Sequence, residues 1–207
     1  MVTKLDLENW PRKDHFNFFR KFEEPFFGLT VQIDCSAGYK KCSNDDQSFF
    51  LFYLHKALVA VNKVEPFRYR IDANQVIIHD EIMASATINR PDGTFGFSYI
   101  PYYEDFEEFK INAKLEIERV KSTVGLDPAG AGQNVIHFSS IPWLNFTSLS
   151  HARNYSFEDS CPKISVGKMT SENGILQMPV SIHVNHALMD GIHVAQFVSL
   201  FQQLMNS

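Results

Sequence analysis

His186 is followed by Ala187, Leu188 and Met189 and then by Asp190 and Gly191, which sets an imidazole and a carboxylate four positions apart. An imidazole has an ordinary pKa of about 6.5, so at pH 7 it is mostly neutral yet basic enough to take a proton from an attacking hydroxyl. The chain on either side fixes where such a ring would stand. Val180, Ile182 and Val184 alternate with Ser181, His183 and Asn185, the pattern of a strand with one apolar face. From Ile192 onward the apolar residues Val194, Phe197, Val198, Phe201 and Leu204 recur at helical spacing. His186 therefore falls where a strand has stopped and a helix has not begun, a place from which a rigid scaffold aims a side chain at a ligand. Taken alone, His186 and Asp190 read equally well as a surface ion pair.

The wider context is more specific. His193 lies two places after Gly191, and Pro142-Trp143-Leu144-Asn145-Phe146-Thr147-Ser148 lies upstream. Trp10-Pro11-Arg12-Lys13-Asp14-His15-Phe16 stands near the start, and Ala60-Val61-Asn62 precedes Arg68. Together with the HxxxDG spacing, these blocks resemble the chloramphenicol acetyltransferase family of CoA-dependent acyltransferases, in that family's order and across nearly all 207 residues.

The resemblance implies direct transfer of an acetyl group, within a ternary complex, from acetyl-CoA to a hydroxyl of chloramphenicol or a similar small acceptor. Acetyl-CoA is then a co-substrate and no metal is involved. It also implies a homotrimer with active sites at subunit interfaces, His186 of one chain facing the acceptor pocket of its neighbour. His186 is the general base, with Nε2 toward the acceptor and Nδ1 held by the residue's own backbone carbonyl. Asp190 pairs with Arg12 to hold the turn, with no relay to the ring, and Gly191 allows the turn to be tight. Ser148 corresponds to a donor to the oxyanion, whose loss typically costs about 10²–10³ in rate; its plainer reading is a strand serine facing solvent. Ser165 corresponds to a threonine that reaches the intermediate through water. Lys168 matches a lysine near the CoA phosphates, where a point charge suits the task, and otherwise is one more exposed lysine.

Phe18, Phe19, Glu23, Phe95 and Phe97 fall in the aligned acceptor pocket, and several depart from the family pattern. Phe19 stands for a tyrosine, Glu23 for a leucine and Phe97 for an alanine, while Phe18 and Phe95 keep aromatics. Around the base, Asn185 stands for a second histidine, His183 for a glutamine and Ile192 for an aromatic. An added ring takes volume and a carboxylate disfavours an uncharged apolar ligand. Chloramphenicol itself is thus expected to be a poor substrate, with the reaction class intact. A transferase for a different alcohol or amine acceptor and a non-catalytic trimeric binding protein of the same fold are the alternatives; intact His186, Asp190, Gly191, Ser148 and Arg12 speak against the second.

Composition narrows the partners. Nineteen basic and 24 acidic residues are mixed along the chain for a net charge of -5, with no basic stripe for nucleic acid and no polybasic patch for a membrane surface. The start, Met1 to Asp6, lacks the charged head and apolar run of a signal peptide, so the expectation is a cytoplasmic protein. Phe49 to Leu54, the longest apolar run, is cut by His55 and Lys56 and is far shorter than the roughly 20 residues that span a bilayer. Cys35, Cys42 and Cys161 are odd in number and lack close metal-ligand spacing, which suggests reduced, unpaired thiols. His15, His55, His79, His137 and His151 show no partner in sequence and read as core or surface residues.

The elements that must position these groups follow from periodicity. Helices are expected over 9–22, over Phe49 to Lys63 after a Ser48 or Asp46 cap, and over Asp105 to Val124, the longest. Ser36–Ser43 reads as a loop or weak helix. Phe26 to Asp34 is extended; Phe67–Ile71 with Gln75–His79, and Ile82–Arg90 with Thr94–Ile100, read as hairpins. Further strands are expected at Asn134–Ser140, Trp143–Leu149, Ile164–Met169 and Ile175–Asn185, the last two joined around Glu172-Asn173-Gly174. Leu126 to Gln133 is expected to be a mobile connection within one domain over 1–207. Strands and helices interspersed without regular alternation predict an α/β chain of the α+β type. Its sheet should be mixed and largely antiparallel, covered by helices in the two-layer manner of the CoA-dependent acyltransferases.

Overall fold

The computed structural model describes residues 1–126, 132–155 and 158–207. Its strands are β1 (Val2–Lys4), β2 (Phe26–Asp34), β3 (Tyr69–Asp72), β4 (Gln75–His79), β5 (Met83–Asn89), β6 (Phe95–Phe97), β7 (Val135–Ser140), β8 (Lys163–Val166), β9 (Thr170–Glu172) and β10 (Ile175–Asn185). Its helices are α1 (Lys13–Phe19), α2 (Ser36–Asn44), α3 (Phe49–Lys63), α4 (Phe106–Ser122) and α5 (Gly191–Met205), with a 3-10 turn at Glu65–Arg68.

The main sheet runs β2-β10-β8-β7-β5-β6, and β9 folds back on β10. The β8–β7 and β7–β5 pairs are parallel and the rest antiparallel. This is the mixed, largely antiparallel sheet that the interspersed elements predict, and helices cover it. A smaller antiparallel sheet, β1-β4-β3, stands beside it. Period-two alternation divides the main sheet into two unlike faces. Val180, Ile182 and Val184 of β10, Ile164 and Val166 of β8, and Ile136 and Phe138 of β7 join Leu54, Leu58, Val194, Phe197 and Phe201 in one buried core. The other face is polar, and its central row is a line of small hydroxyl side chains. Thr30, Ser181, Ser165 and Ser139 lie side by side across β2, β10, β8 and β7.

Helix α3 is the centre of the core because Phe49 to Lys63 is apolar around most of its circumference, so it is buried on nearly every side. Ser48 caps it, its side chain accepting the Leu51 N–H at 3.4 Å. At its other end Asn62 ties the helix to the sheet. Its amide nitrogen donates to Leu58 O and Ile82 O, both at 2.9 Å, and its Oδ1 accepts the Ile82 N–H at 2.8 Å.

Several expectations are corrected. Helix α1 covers only Lys13–Phe19; Pro11 and Arg12 form a turn ahead of it and Phe22 falls beyond its end. Ser36–Asn44 is a full helix, and the stretch before β3 is a 3-10 turn where Pro66 pre-sets the backbone. Trp143–Leu149 is not a strand. Leu144 N–H closes a turn onto Ile141 O, and Leu144 O accepts the Lys168 N–H at 2.7 Å, so this backbone lies against the chain leaving β8 without forming a ladder. The short β9 makes the hairpin with β10, with Asn173 at φ 51° and Gly174 at φ 82° in a left-handed turn. Strand β1 has no counterpart in the sequence reading. Of the connection expected at Leu126 to Gln133, residues 127–131 lie outside the described residues. No helix among the described residues is long and apolar enough to cross a membrane.

Replacing Asn62 by Ala removes both links to Ile82 and leaves the Ile82 amide and carbonyl short of a partner. The expected cost is about 1–3 kcal/mol, read as a lower urea midpoint at unchanged slope. An unchanged midpoint would show that α3 and β5 are held together by apolar packing alone.

Candidate active site

The place where β10 ends is set by its neighbour. Asn185 pairs with Phe26, the first residue of β2, and one step further the His186 N–H donates to Pro25 O at 2.8 Å. Pro25 has no N–H to return, so the ladder stops there and the chain leaves the sheet. It leaves in a tight turn, in which Asn185 O accepts both Leu188 N–H and Met189 N–H at 3.0 Å and the Asn185 side chain accepts the Ala187 N–H at 2.9 Å. The Asn185 amide nitrogen also donates to Asp159 O at 3.2 Å. Asn185, a departure from the family pattern in sequence, is here the organiser of the turn that carries His186.

The imidazole is held on three sides. Nδ1 lies 3.0 Å from the carbonyl oxygen of Met189. A carbonyl accepts and cannot donate, so the proton of the neutral ring sits on Nδ1 and the lone pair on Nε2. Among the described residues Nε2 has no hydrogen-bond partner. The Phe19 ring stacks on the imidazole, centroids 4.0 Å apart and planes at 15°, and Phe27 lies 4.6 Å away on a tilt. The expected partner of Nδ1, the residue's own carbonyl, is corrected to Met189. His186 O is engaged elsewhere: it accepts from Arg12 Nη2 at 3.1 Å.

Arg12 also forms a salt bridge with Asp190 through Nη1 and Oδ2. The aspartate thus faces the arginine, and the ring nitrogen of His186 faces a carbonyl. Asp190 N–H donates to Nδ1 of His193 at 3.1 Å, so the start of α5 is tied by both flanking side chains. Burial alone would raise the Asp190 carboxyl, but the Arg12 guanidinium beside it overrides that and holds it below the usual carboxylate value. Burial lowers His193, against the pull of Asp190. Gly191 is the first residue of α5, its φ is not in the left-handed region, and a Cβ there would meet open space. The tight turn therefore does not require glycine at 191, contrary to expectation.

The remaining sequence-selected residues fall into separate groups. Phe18 packs edge-on against Phe19, 5.1 Å between centroids, which brings it near His186. Glu23 is exposed and borders a smaller cleft with Arg20, Arg153 and Asn185. Phe95 and Phe97, on edge strand β6, border a different cavity of about 800 Å³ with Ser85, His137, Asp159 and Lys163. Four strand spacings separate β10 from β6 in the sheet order, about 19 Å. Ser165 is fully buried in the hydroxyl row, and among the described residues its Oγ has no hydrogen-bond partner. Ser148 is exposed on the segment between Leu144 and His151, outside any strand. Lys168 is exposed just past β8, where its N–H holds Leu144 O. All three cysteines are buried and free.

The polar sheet face carries groups that sequence reasoning passed over. Lys163, a lysine inside an apolar strand run, is the signal that could have exposed them. It pairs with Asp159 at 2.6 Å. His151 meets His183 edge to face at 4.8 Å, and the His183 Nε2 lies 3.1 Å from Ser181 Oγ.

Residues 1–202 match the family model described as chloramphenicol acetyltransferase. The chain is similar to chloramphenicol acetyltransferase 3 of Escherichia coli, 32% identical over 208 residues that cover 99% of this chain and 97% of that protein. It is similar to a chloramphenicol acetyltransferase of Campylobacter coli, 28% identical, with 99% and 98% covered. A solved structure of a chloramphenicol acetyltransferase superposes with a TM-score of 0.91 at 31% identity, over 99% of this chain and 100% of that one.

The Arg12–Asp190 pair gives a pH signature. The folded carboxyl has a lowered pKa, so the pair's contribution is complete above the ordinary aspartate value of about 3.9. It is lost as pH falls through the lower, folded value. The Tm gap between the wild type and Asp190→Asn should therefore be widest near neutrality and close in acid. A gap that does not change with pH would remove the ion pair as its cause.

Proposed function

Because the chain belongs to the chloramphenicol acetyltransferase family, we propose that His186 is the general base of an acetyl transfer from acetyl-CoA to a hydroxyl of chloramphenicol or a similar small acceptor. The enzyme is an acetyl-CoA-dependent O-acetyltransferase of the acyltransferase class. The observation that carries the reading is the ring's tautomer: Nδ1–H is committed to Met189 O, which leaves Nε2 with its lone pair. As the acceptor oxygen attacks the thioester carbonyl, its proton passes to Nε2. Collapse of the tetrahedral species breaks the carbon–sulfur bond, and the proton returns to the departing CoA sulfur.

The other roles are those the family resemblance implies. Ser148, exposed and free of a ladder, donates to the oxyanion. Ser165 reaches the same oxygen through a water, which its unpartnered hydroxyl would hold. Lys168 meets the CoA phosphates. Arg12 and Asp190 hold the turn and so the aim of the ring, without touching substrate. Phe18, Phe19 and Glu23 border the acceptor on the base's side, and Phe95 and Phe97 border it from the cavity.

In the sheet order β6 lies four strand spacings, about 19 Å, from β10, so the Phe95 and Phe97 end of the cavity stands away from the strand that carries His186. In this reading a homotrimer completes the site. His186 of one chain then faces the Phe95 and Phe97 cavity of its neighbour, and the site exists only in the assembly. The reading puts the enzyme in the cytosol, where three buried thiols stay reduced.

His186→Ala should abolish release of CoA thiol in a colorimetric assay with acetyl-CoA and chloramphenicol, while the Tm moves little. Retained turnover would remove His186 as the base. Phe97→Ala should lower the chloramphenicol KM by opening the cavity at its aromatic wall; an unchanged KM would exclude crowding by this ring.

A further inference from the structure

The cavity bordered by Phe95 and Phe97 has a charged inner wall that acetyl transfer to a neutral alcohol does not require. Lys163 and Asp159 line it, with His137 and His151 beside them. Lys163 is 6% exposed. Its Nζ donates to Asp159 Oδ2 at 2.6 Å and to Cys161 O at 3.4 Å, and the Phe26 ring lies 5.0 Å away. An ammonium has three N–H donors, and among the described residues the third has no hydrogen-bond acceptor. A spare donor on a buried cation is costly unless something meets it, and Lys163 lines the cavity.

Asp159 has little capacity left for a ligand. Oδ1 accepts the Cys161 N–H at 2.9 Å, and Oδ2 lies 3.7 Å from Arg153 Nε besides holding Lys163. Behind the wall Arg70 is fully buried, and its guanidinium donates to the carbonyl oxygens of Phe67, Tyr69, Gln133 and Val135. No carboxylate pairs with it among the described residues. Three cations, Lys163, Arg153 and Arg70, thus act on Asp159, and Glu24, outside the cavity lining, is taken by Arg153 at 2.9 Å. Glu158 also lines the cavity, is more exposed, and has Arg20 at 3.7 Å.

The histidines register the same balance. His137 is open to solvent at the cavity wall, and desolvation by the surrounding wall, then the Lys163 charge, lower it from the ordinary histidine value, Arg70 and Arg153 adding to this and Asp159 opposing it. Burial, then His183 and Lys163, push His151 down to about 4. Neither environment favours the protonated ring. His137, Asp159 and Cys161 bring ligand atoms within 4.8 Å of one another, but a divalent cation there would stand against Lys163 and Arg70. The cluster favours an anion.

Resting on the acetyl-transfer reading above, we propose that the acceptor carries an anionic group, a carboxylate or a phosphate, which sits on Lys163 Nζ at the inner wall of this cavity. The acceptor's hydroxyl then points outward, toward His186 of the neighbouring chain. A neutral acceptor would leave the third Lys163 donor dry and unpartnered.

The test uses the wild-type enzyme with 3-phenyllactate, its methyl ester, the 1-phosphate of 3-phenylpropane-1,2-diol, and chloramphenicol. Binding is read by calorimetry and transfer by thiol release. One or both anions should bind about tenfold or more tightly than the ester, and whichever of the acid and the phosphate binds better identifies the group. Lys163→Met should erase that preference by raising the anion's KM with little change for the ester, and Lys163→Arg should keep most of it. Equal or tighter binding of the ester or chloramphenicol would overturn the inference, and this comparison needs no variant to fold. Tight anion binding with no thiol release from any member would leave the pocket assignment standing and overturn the transfer reading instead.

Discussion

Arg12 divides its guanidinium between two acceptors four residues apart, the carboxylate of Asp190 and the carbonyl of His186. That double grip closes the turn from the outside while Asn185 closes it from within. An ion pair of this exposure contributes about 1 kcal/mol or less to global stability, so its importance is local. Without it the 186–190 turn keeps its sheet anchor at Pro25 and loses the contact that sets how far Met189 O stands from Nδ1. The tautomer, the direction of Nε2 and the stacking on Phe19 all depend on that separation.

The sheet works as a partition. Its apolar face is filled by α3 and α5 and makes the core, so its polar face is free to carry chemistry. The row Thr30, Ser181, Ser165, Ser139 keeps side chains short across four strands. Its flanks carry the charged and imidazole groups, Lys163 and His137 among them. A core packed on one side gives that polar surface the stiffness that site geometry requires.

Much of this was legible before any coordinates. The alternation in Val180 to Asn185 and the spacing from Val194 to Leu204 located strand, turn and helix around His186, because burial on one side leaves a period in the sequence. Asp190 and Arg12, 178 positions apart in the chain, were joined only by family resemblance, since no local pattern reports a contact between distant residues. Trp143–Leu149 misled because a tryptophan, leucine and phenylalanine run looks like a strand, whereas it packs by backbone contact at Leu144 O. The Nδ1 partner was out of reach for a different reason: which carbonyl lies under a ring is set by turn geometry, to which any residue at 189 contributes the same oxygen. The Lys163–Asp159 pair was missed because a lone lysine at the start of a strand signals a polar group but does not report which carboxylate it meets or that it is buried.

An imidazole oriented by a main-chain oxygen is insulated from substitution. Met189 can be exchanged in the course of divergence, provided its buried volume is kept, and the oxygen under the imidazole goes on doing the same job. The side chains that line the cavity, in contrast, stand on other strands. Descendants of one ancestor are therefore free to explore new acceptors while inheriting an unaltered catalyst, because the two properties are written in different parts of the polypeptide.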